Sequence, residues 1–552
     1  MRFATVHDRY RDDEIEYFYE TGQWGEETLF DLLEAQVAKR GGKVFLTDNV
    51  MSLTFAELRD SALRLAIGLM RQGIRTGDRV SVQIPNWAEF GVVSVALSRL
   101  GAVMVPIMTI YRRDEVGYIL KNAGVRLAIT CDSFKSFSYR EMYQTLLAEL
   151  PDLQRLVVVR SVEPRDEPQI SSYESLLPAG DIADVELELG EGAGPDDPFV
   201  IVYSSGTTSR PKGCLHTVNT MACAARLLSQ GLAYSTDDIQ FGPSPVTHTT
   251  GLVTSIFLPL INGASTHLME SWEPREGLAQ IAKFKCSVTV TAATFLHMLL
   301  GVFDPAVHDA SSLRLWVAAG SPIPAALLER SAALLPGLRV LSLYGRTENL
   351  VTTMCTVADD PKRSLSSDGS ELRLQSVRIV DDAGDEVPRG EEGDVAYRGA
   401  MHMLEYINNA EETSALFTSD GYSRSGDLGT MDEDGFIRVT GRLKDIVIRG
   451  GLNVSVRQVE DLLTAHPAVN SVAVVGMPDA RLGERICCYL VPNPGYEGVT
   501  LDDLTSYLLQ QGLAIQKMPE RLEIVDQMPM TATGKIQKHF LRADIAAKIT
   551  PS

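Results

Sequence analysis

The stretch YSSGTTSRPKG, Tyr203 to Gly213, decides how the chain is read. It follows the apolar run Phe199 to Val202, sets hydroxyl side chains on both sides of Gly206, and ends in Pro-Lys-Gly. Directly after a buried strand, such a loop offers backbone N–H groups that can converge on an anion, and Gly206 and Gly213 let the main chain approach without a Cβ in the way. Phosphate is the guest this predicts. A solvated Ser/Thr/Gly linker shares the composition, yet it needs neither an upstream strand nor a lysine held beside a proline. The Walker P-loop is excluded, since it requires Gly-Lys-Ser/Thr, whereas Lys212 follows Pro211 and precedes Gly213.

Working outward, 552 residues leave room for about three to four structural units and a substantial core. Hydrophobic residues at 45% and charged residues at 22% match ordinary soluble usage and exclude disordered and fibrous classes. A net charge of -21 provides no broad basic face, which argues against a nucleic-acid partner. The seven cysteines are scattered, with neither metal-like spacing nor a disulfide framework, and a reducing cytoplasm is expected. The first twenty residues lack the apolar segment of a signal peptide. No run reaches the roughly 18 apolar residues of a spanning helix, so no integral membrane segment is expected.

The chain alternates helix and strand. LTFAELRDSALRLAIGLMRQGI has Thr54 and Glu57 at capping-box spacing and an apolar face through Leu58, Ala62, Leu65, Ala66 and Leu69, which predicts an amphipathic helix. RVSVQIP from Arg79 and AVMVPI from Ala102 read as buried strands around the helix WAEFGVVSVALSRLG, a parallel α/β unit. After the Gly/Asp/Pro-rich LGEGAGPDDP the pattern resumes, with strands at Phe199–Tyr203, Ser287–Thr291, Leu313–Ala318 and Arg339–Leu343. Their C-terminal ends carry the phosphate loop, TAATF, AAGSP and YGRTE, where open parallel sheets bind ligands. From about Leu372 short strands with Gly and Asp turns predict an antiparallel, barrel-like piece. Beyond GRLKD, Gly441 to Asp445, the strands SVAVVG and ICCYLV and the helix LDDLTSYLLQQ are of a size to form a small α/β domain. No internal repeat is found.

Four further segments carry chemistry. YGRTE, Tyr344 to Glu348, offers an aromatic face, a hydroxyl and a carboxylate. SGDLG, Ser425 to Gly429, sets Asp427 in a tight turn, where an acceptor-only carboxylate can take both hydroxyls of a ribose. GRLKD adds Arg442 and Lys444, and PMTATGKIQK presents Lys535 on a glycine-containing loop.

In this order and at these separations, the motifs resemble the adenylate-forming superfamily that includes acyl-CoA synthetases, firefly-type luciferases and peptide-synthetase adenylation domains. The resemblance covers nearly the whole chain. It implies an α/β fold with a large N-terminal domain, residues 1–441, made of two α/β sheet subdomains and a small barrel-like β subdomain. A hinge at 442–445 and a small mobile C-terminal α/β domain, 446–552, complete it. The implied reaction is an ATP-dependent acid–thiol ligation in which a carboxylate attacks the α-phosphorus of ATP, pyrophosphate leaves, and the acyl group passes to coenzyme A. Positioned donors and cations are worth most where charge develops, about 3 kcal/mol each by analogy with one oxyanion donor.

By that resemblance Ser204, Ser205, Gly206, Thr207, Thr208 and Lys212 serve the β- and γ-phosphates. Gly320, Ser321, Pro322, Tyr344 and Gly345 belong to the nucleotide site, with Tyr344 against the adenine. Thr347 contacts the α-phosphate, Glu348 holds Mg²⁺, Asp427 binds the ribose with help from Arg442, and Lys535 bridges the carboxylate and the α-phosphate. His248 in SPVTHTTG meets the carboxyl group or lines the path to the acyl pocket as a neutral hydrogen-bonding group. Lys444 is the implied pivot, and Ile448 to Glu460, with Gly450 and Gly451, forms the strand that faces the acyl-adenylate for transfer. Val456 and Gln458 depart from the family's Pro and Glu there, Ser425 replaces the more usual Thr, and Arg346 is less usual, contacting phosphate or pairing on the surface.

The cofactors implied are ATP, Mg²⁺ and coenzyme A. The partners are a small-molecule carboxylic acid, an acyl-carrier protein as the alternative acceptor, and a second copy of the chain in a homodimer. TAATFLHML, VAAGSP and the residues after Glu348 are expected to line the acyl pocket, with Phe295, Ala318 and Ala319 leaning it toward a cyclic, aromatic or branched acid over a long straight chain. A protein that senses ATP without turnover would be favoured if Lys535 or Glu348 were missing, and both are present.

Overall fold

A computed structural model describes residues 3–161, 167–190, 192–204, 210–320, 323–450, 452–479, 481–531 and 534–549. Two mixed sheets dominate. In the seven-stranded sheet, Arg79–Gln83 lies parallel to Val103–Pro106 on one side and Leu127–Cys131 on the other. Pro198–Tyr203 runs parallel to Val103–Pro106 and turns back through the antiparallel edge strand Gly213–Thr217. The nine-stranded sheet has a parallel centre that includes Ile239–Gly242, Val288–Thr291, Leu315–Ala319 and Arg339–Tyr344, with short antiparallel strands at both edges. The apolar runs explain this: both faces of these strands are buried, which suits near-continuous Val, Leu and Ile rather than alternation.

The helix Phe55–Arg71 begins at Thr54, whose Oγ1 accepts from Glu57 N at 3.2 Å while the Glu57 carboxylate accepts from Thr54 N at 2.8 Å, closing the expected capping box. It packs on Ala88–Leu100, a helix buried almost all round and ended by Gly101 at φ 68°. One hydrophobic cluster joins both sheets and continues into Val377, Val395 and Ile437 of a four-stranded antiparallel sheet, Ser376–Val380, Gly393–Arg398, Ser423–Met431 and Ile437–Arg442. The piece expected to be barrel-like takes this form.

The chain then passes through a short 3₁₀ turn, Leu443–Asp445, into a separate C-terminal domain. Its five-stranded sheet is centred on Val469–Asp479 and Gly483–Pro492, and cores of its own lie on both faces, around Val459 and Leu504 on one and around Val475 and Ile545 on the other. Across the junction Ser455 Oγ donates to Thr440 O at 2.7 Å, and the Arg457 guanidinium lies 3.7 Å from Asp368. All seven cysteines are free and buried. No helix among the described residues is long and apolar enough to cross a membrane.

Candidate active site

Three parallel strands of the larger sheet end at one cavity of about 410 Å³. Val288–Thr291 delivers Thr291 and Ala292, Leu315–Ala319 delivers Ala319 and Gly320, and Arg339–Tyr344 leads into Gly345, Arg346, Thr347 and Glu348. The other sheet contributes Ser204 and Lys212 from the two shoulders of its hairpin, where Ser204 N donates to Lys212 O at 2.9 Å. His248, Asp427, Arg442, Lys444 and Lys535 complete the wall. Residues as far apart in the chain as Ser204 and Lys535 thus share one space because strand ends, not sequence neighbours, define it.

On one wall both Asp427 oxygens are engaged. Tyr344 donates its hydroxyl to Oδ2 and Arg442 donates Nε to Oδ1, each at 2.7 Å, while Asp427 N donates to Ser425 Oγ at 2.9 Å. The carboxylate is buried and fixed, and each oxygen keeps a second lone pair for a diol. Burial and the neighbouring Asp427 push the Tyr344 hydroxyl far up, so it remains a donor. Asp427 in turn raises the Arg442 pKa.

On a second wall Glu348 Oε1 accepts from the Tyr406 hydroxyl at 2.5 Å and faces the Arg346 guanidinium at 3.5 Å. Burial alone would raise this carboxyl, but Arg346 and the Tyr406 hydrogen bond win and hold it below its ordinary value. Lys212 pairs with Glu412 and lies 5.0 Å from the Tyr406 ring centroid. Thr347 is fixed through its carbonyl, which accepts from His216 Nε2 at 2.7 Å.

Lys535 enters from the C-terminal domain. A Cβ on Gly320, whose φ is +82°, would lie 2.6 Å from Lys535 Cε, so the lysine stem fits only because residue 320 has no side chain. Gly534, at φ +79°, approaches Thr294 closely enough that a Cβ there would fall 2.6 Å from Thr294 Oγ1. Burial, then the nearby Arg442, pulls the Lys535 ammonium down to about 8, with Asp427 and Glu348 opposing. His248 is pulled down to about 3 by burial and by Lys535, and its Nδ1 accepts from Thr250 N at 3.3 Å. The ring is therefore neutral, with its proton on Nε2.

Ser205, Gly206, Thr207, Thr208, Ser321, Pro322 and Gly451 lie outside the described residues. Gly450, in a left-handed turn at φ +59°, is not among the residues lining the cavity, and Tyr344 reaches it only through Asp427. Phe295 does not line the cavity but stacks on Trp272 with ring centroids 4.7 Å apart, and Ala318 points into the core, whereas Ala319 does line it. Arg346 faces Glu348 in the cavity wall rather than pairing on the surface. Tyr406 and Glu412 were not foreseen: the segment MLEYINNAEE has neither strand nor helix periodicity around Tyr406, and an isolated tyrosine carries no signal of its partner.

Family comparison settles the class of chemistry. Residues 33–407 match the AMP-binding enzyme family and residues 458–535 match the AMP-binding enzyme C-terminal domain. The chain belongs to the AMP-binding enzyme family. Among its relatives, the medium-chain fatty-acid–CoA ligase of Escherichia coli K12 is 32% identical over 97% of this chain and 93% of that protein. The 2,3-dihydroxybenzoate–AMP ligase of Bacillus subtilis is 30% identical over 98% and 97%. In structure, an anthranilate CoA ligase in complex with anthranoyl-AMP superposes with a TM-score of 0.86, at 28% identity and covering 95% of this chain and 98% of that one. ATP-bound MatB from Rhodopseudomonas palustris gives 0.81 at 28% identity, covering 95% and 99%. This AMP-binding enzyme is an AMP-forming ligase that adenylates a carboxylic acid.

The two glycines at the lysine yield a prediction. Gly534→Ala adds backbone strain and a contact with Thr294, displacing Lys535, so acid-dependent pyrophosphate exchange should fall about tenfold or more, roughly 1.4 kcal/mol of lost stabilisation. Pairing it with Thr294→Ala should restore part of the loss; full activity in Gly534→Ala alone would contradict the packing described.

Proposed function

We propose that the chain is an ATP-dependent carboxylate–CoA ligase. A carboxylate oxygen attacks the α-phosphorus of ATP and the bond to pyrophosphate breaks, giving an acyl-adenylate. The thiol sulfur of coenzyme A then attacks the acyl carbon, the thiol proton is released, and AMP leaves. The observation that carries this reading is Lys535 of the C-terminal domain lying in the same cavity as Lys212, Glu348 and Asp427.

Lys535 binds the incoming carboxylate and the α-phosphate, countering charge where it grows. Ser204 and Lys212, with Ser205, Gly206, Thr207 and Thr208, hold the outer phosphates, and Lys212 exchanges Glu412 for them. Thr347 contacts the α-phosphate. Tyr344 and Arg442 fix Asp427 for the ribose, and His248 offers its neutral Nε2–H to the acid. Glu348 suits a magnesium ligand: its carboxyl is held in the ionised form, and the contacts from Tyr406 and Arg346 fall on Oε1. No cluster of three or more metal-binding side chains occurs among the described residues, so phosphate oxygens would complete the shell. Magnesium bound there would offset phosphate charge.

For thiol transfer the C-terminal domain turns about Lys444 in the 442–445 segment, between residues 1–441 and 446–552. Lys535 withdraws and the hairpin of Val447–Arg449 and Leu452–Val454 approaches the adenylate. An acyl-carrier protein thiol is the second reading for the acceptor, favoured by the likeness to a 2,3-dihydroxybenzoate–AMP ligase and by Gln458, which pairs with Lys517 at 2.7 Å where the family resemblance calls for Glu. The acid is a cyclic, aromatic or branched one. Seven free, buried thiols support a cytoplasmic setting.

Three outcomes test this reading. Lys535→Ala should depress pyrophosphate exchange by about a thousandfold or more while transfer from preformed acyl-adenylate to coenzyme A is largely kept; equal loss in both steps would contradict domain rotation. Because the ammonium titrates near pH 8 and acts as a cation, kcat/KM for adenylation should decline on the alkaline side as pH rises through about 8. A profile flat to high pH would remove the cationic role. Asp427→Ala should weaken ATP binding by about tenfold or more in calorimetry, since a buried, oriented acceptor is lost, and unchanged affinity would remove the ribose assignment.

A further inference from the structure

The large cavity does not end at His248. A second chamber of about 30 Å³ adjoins it and shares Thr249, Thr250, Ala319, Leu343 and Leu350 with its wall. Leu228, Val253, Val290 and Val351 close the far end. Each is at most 3% exposed, and all four belong to the main hydrophobic core. The chamber therefore ends against close-packed protein and not at the surface, so a longer occupant cannot run through it.

Its chemistry is equally restrictive. No acidic, basic or histidine side chain lines the chamber. Its polar groups are threonine hydroxyls, and Thr254 Oγ1 already donates to Thr250 O at 2.8 Å. A second carboxylate or an ammonium carried into it would lose water without gaining a counter-charge. The neutral His248 at the junction offers none. Space for one water takes about 10–15 Å³, so the chamber accepts about two water-sized groups.

Resting on the adenylation reading above, we propose that this chamber receives the tip of the acyl group, and that the substrate is a compact acid with no second charge, a short branched chain or a single small ring, whose reach Leu228, Val253, Val290 and Val351 limit. Long straight chains are excluded by length and dicarboxylates by charge. Ala319 stands at the mouth, shared by both cavities, and sets the width an entering group can have.

The test is pyrophosphate exchange, as kcat/KM, with isobutyrate, isovalerate, benzoate, decanoate and succinate. One of the first three is expected to be best, with decanoate and succinate lower by about a hundredfold or more, since a single ill-fitting methylene is worth about 10–200-fold. Leu228→Ala should raise decanoate relative to isobutyrate by about tenfold or more. Ala319→Val, half-buried at the mouth, gives the converse: benzoate should fall relative to isobutyrate. Decanoate or succinate as the best substrate, or ratios unmoved in both variants, would overturn the acyl-site proposal and leave adenylation standing. Exchange with no acid at all would overturn adenylation itself and this inference with it.

Discussion

The structure turns on one constraint: a lysine ammonium has to be carried out of water into a cleft that already holds an arginine. Burial and Arg442 both disfavour the charge on Lys535, and its pKa falls to about 8 although Asp427 and Glu348 lie in the same cavity. A cation held this way is poorly satisfied by the protein alone, which is the condition under which an anionic ligand gains most from it. The local backbone is arranged around that side chain. Gly320 has no Cβ where the stem passes, and Gly534 supplies the left-handed turn that aims it. The separate core of the C-terminal domain makes the arrangement compatible with a hinge, because moving the domain as a body breaks few apolar contacts.

Opposite the lysine, the acidic groups are prepared in advance. Asp427 is clamped between Tyr344 and Arg442, and Glu348 between Tyr406 and Arg346. Buried carboxylates are costly unless paired and hydrogen-bonded, and each here has an aromatic hydroxyl and a guanidinium. Their orientation is fixed before any ligand arrives, so little is left to reorganise at the moment of reaction. The Glu412 partner of Lys212 keeps that ammonium paired in the same way.

What was legible in the sequence is what depends on backbone pattern. Continuous apolar runs gave the strands Pro198–Tyr203, Val288–Thr291, Leu315–Ala319 and Arg339–Tyr344 to within two residues of their expected ends, and the Thr54–Glu57 spacing gave a helix start. Because ligands collect at such strand ends, Thr347, Glu348, Gly320 and Lys212 could be expected to meet. Illegible were the contacts that only packing decides. Nothing local says that Phe295 stacks on Trp272 and so leaves the pocket wall, that Arg346 pairs with Glu348, or that Tyr406 reaches Glu348 fifty-eight positions away. The inner chamber is of the same kind, since Leu228, Val253 and Val290 come from three separate elements and Val351 from the loop after Arg339–Tyr344.

The central claim is that one cavity unites the C-terminal lysine with the nucleotide. It is tested most directly by a crystal structure of the protein with a non-hydrolysable acyl-adenylate analogue. The account predicts the adenosine ribose on Asp427, the acyl tip against Val290, and Lys535 Nζ within about 3 Å of the analogue's phosphate-equivalent oxygen in the domain arrangement described. An analogue bound elsewhere, or bound with Lys535 outside the cavity while the domains keep this arrangement, would contradict it.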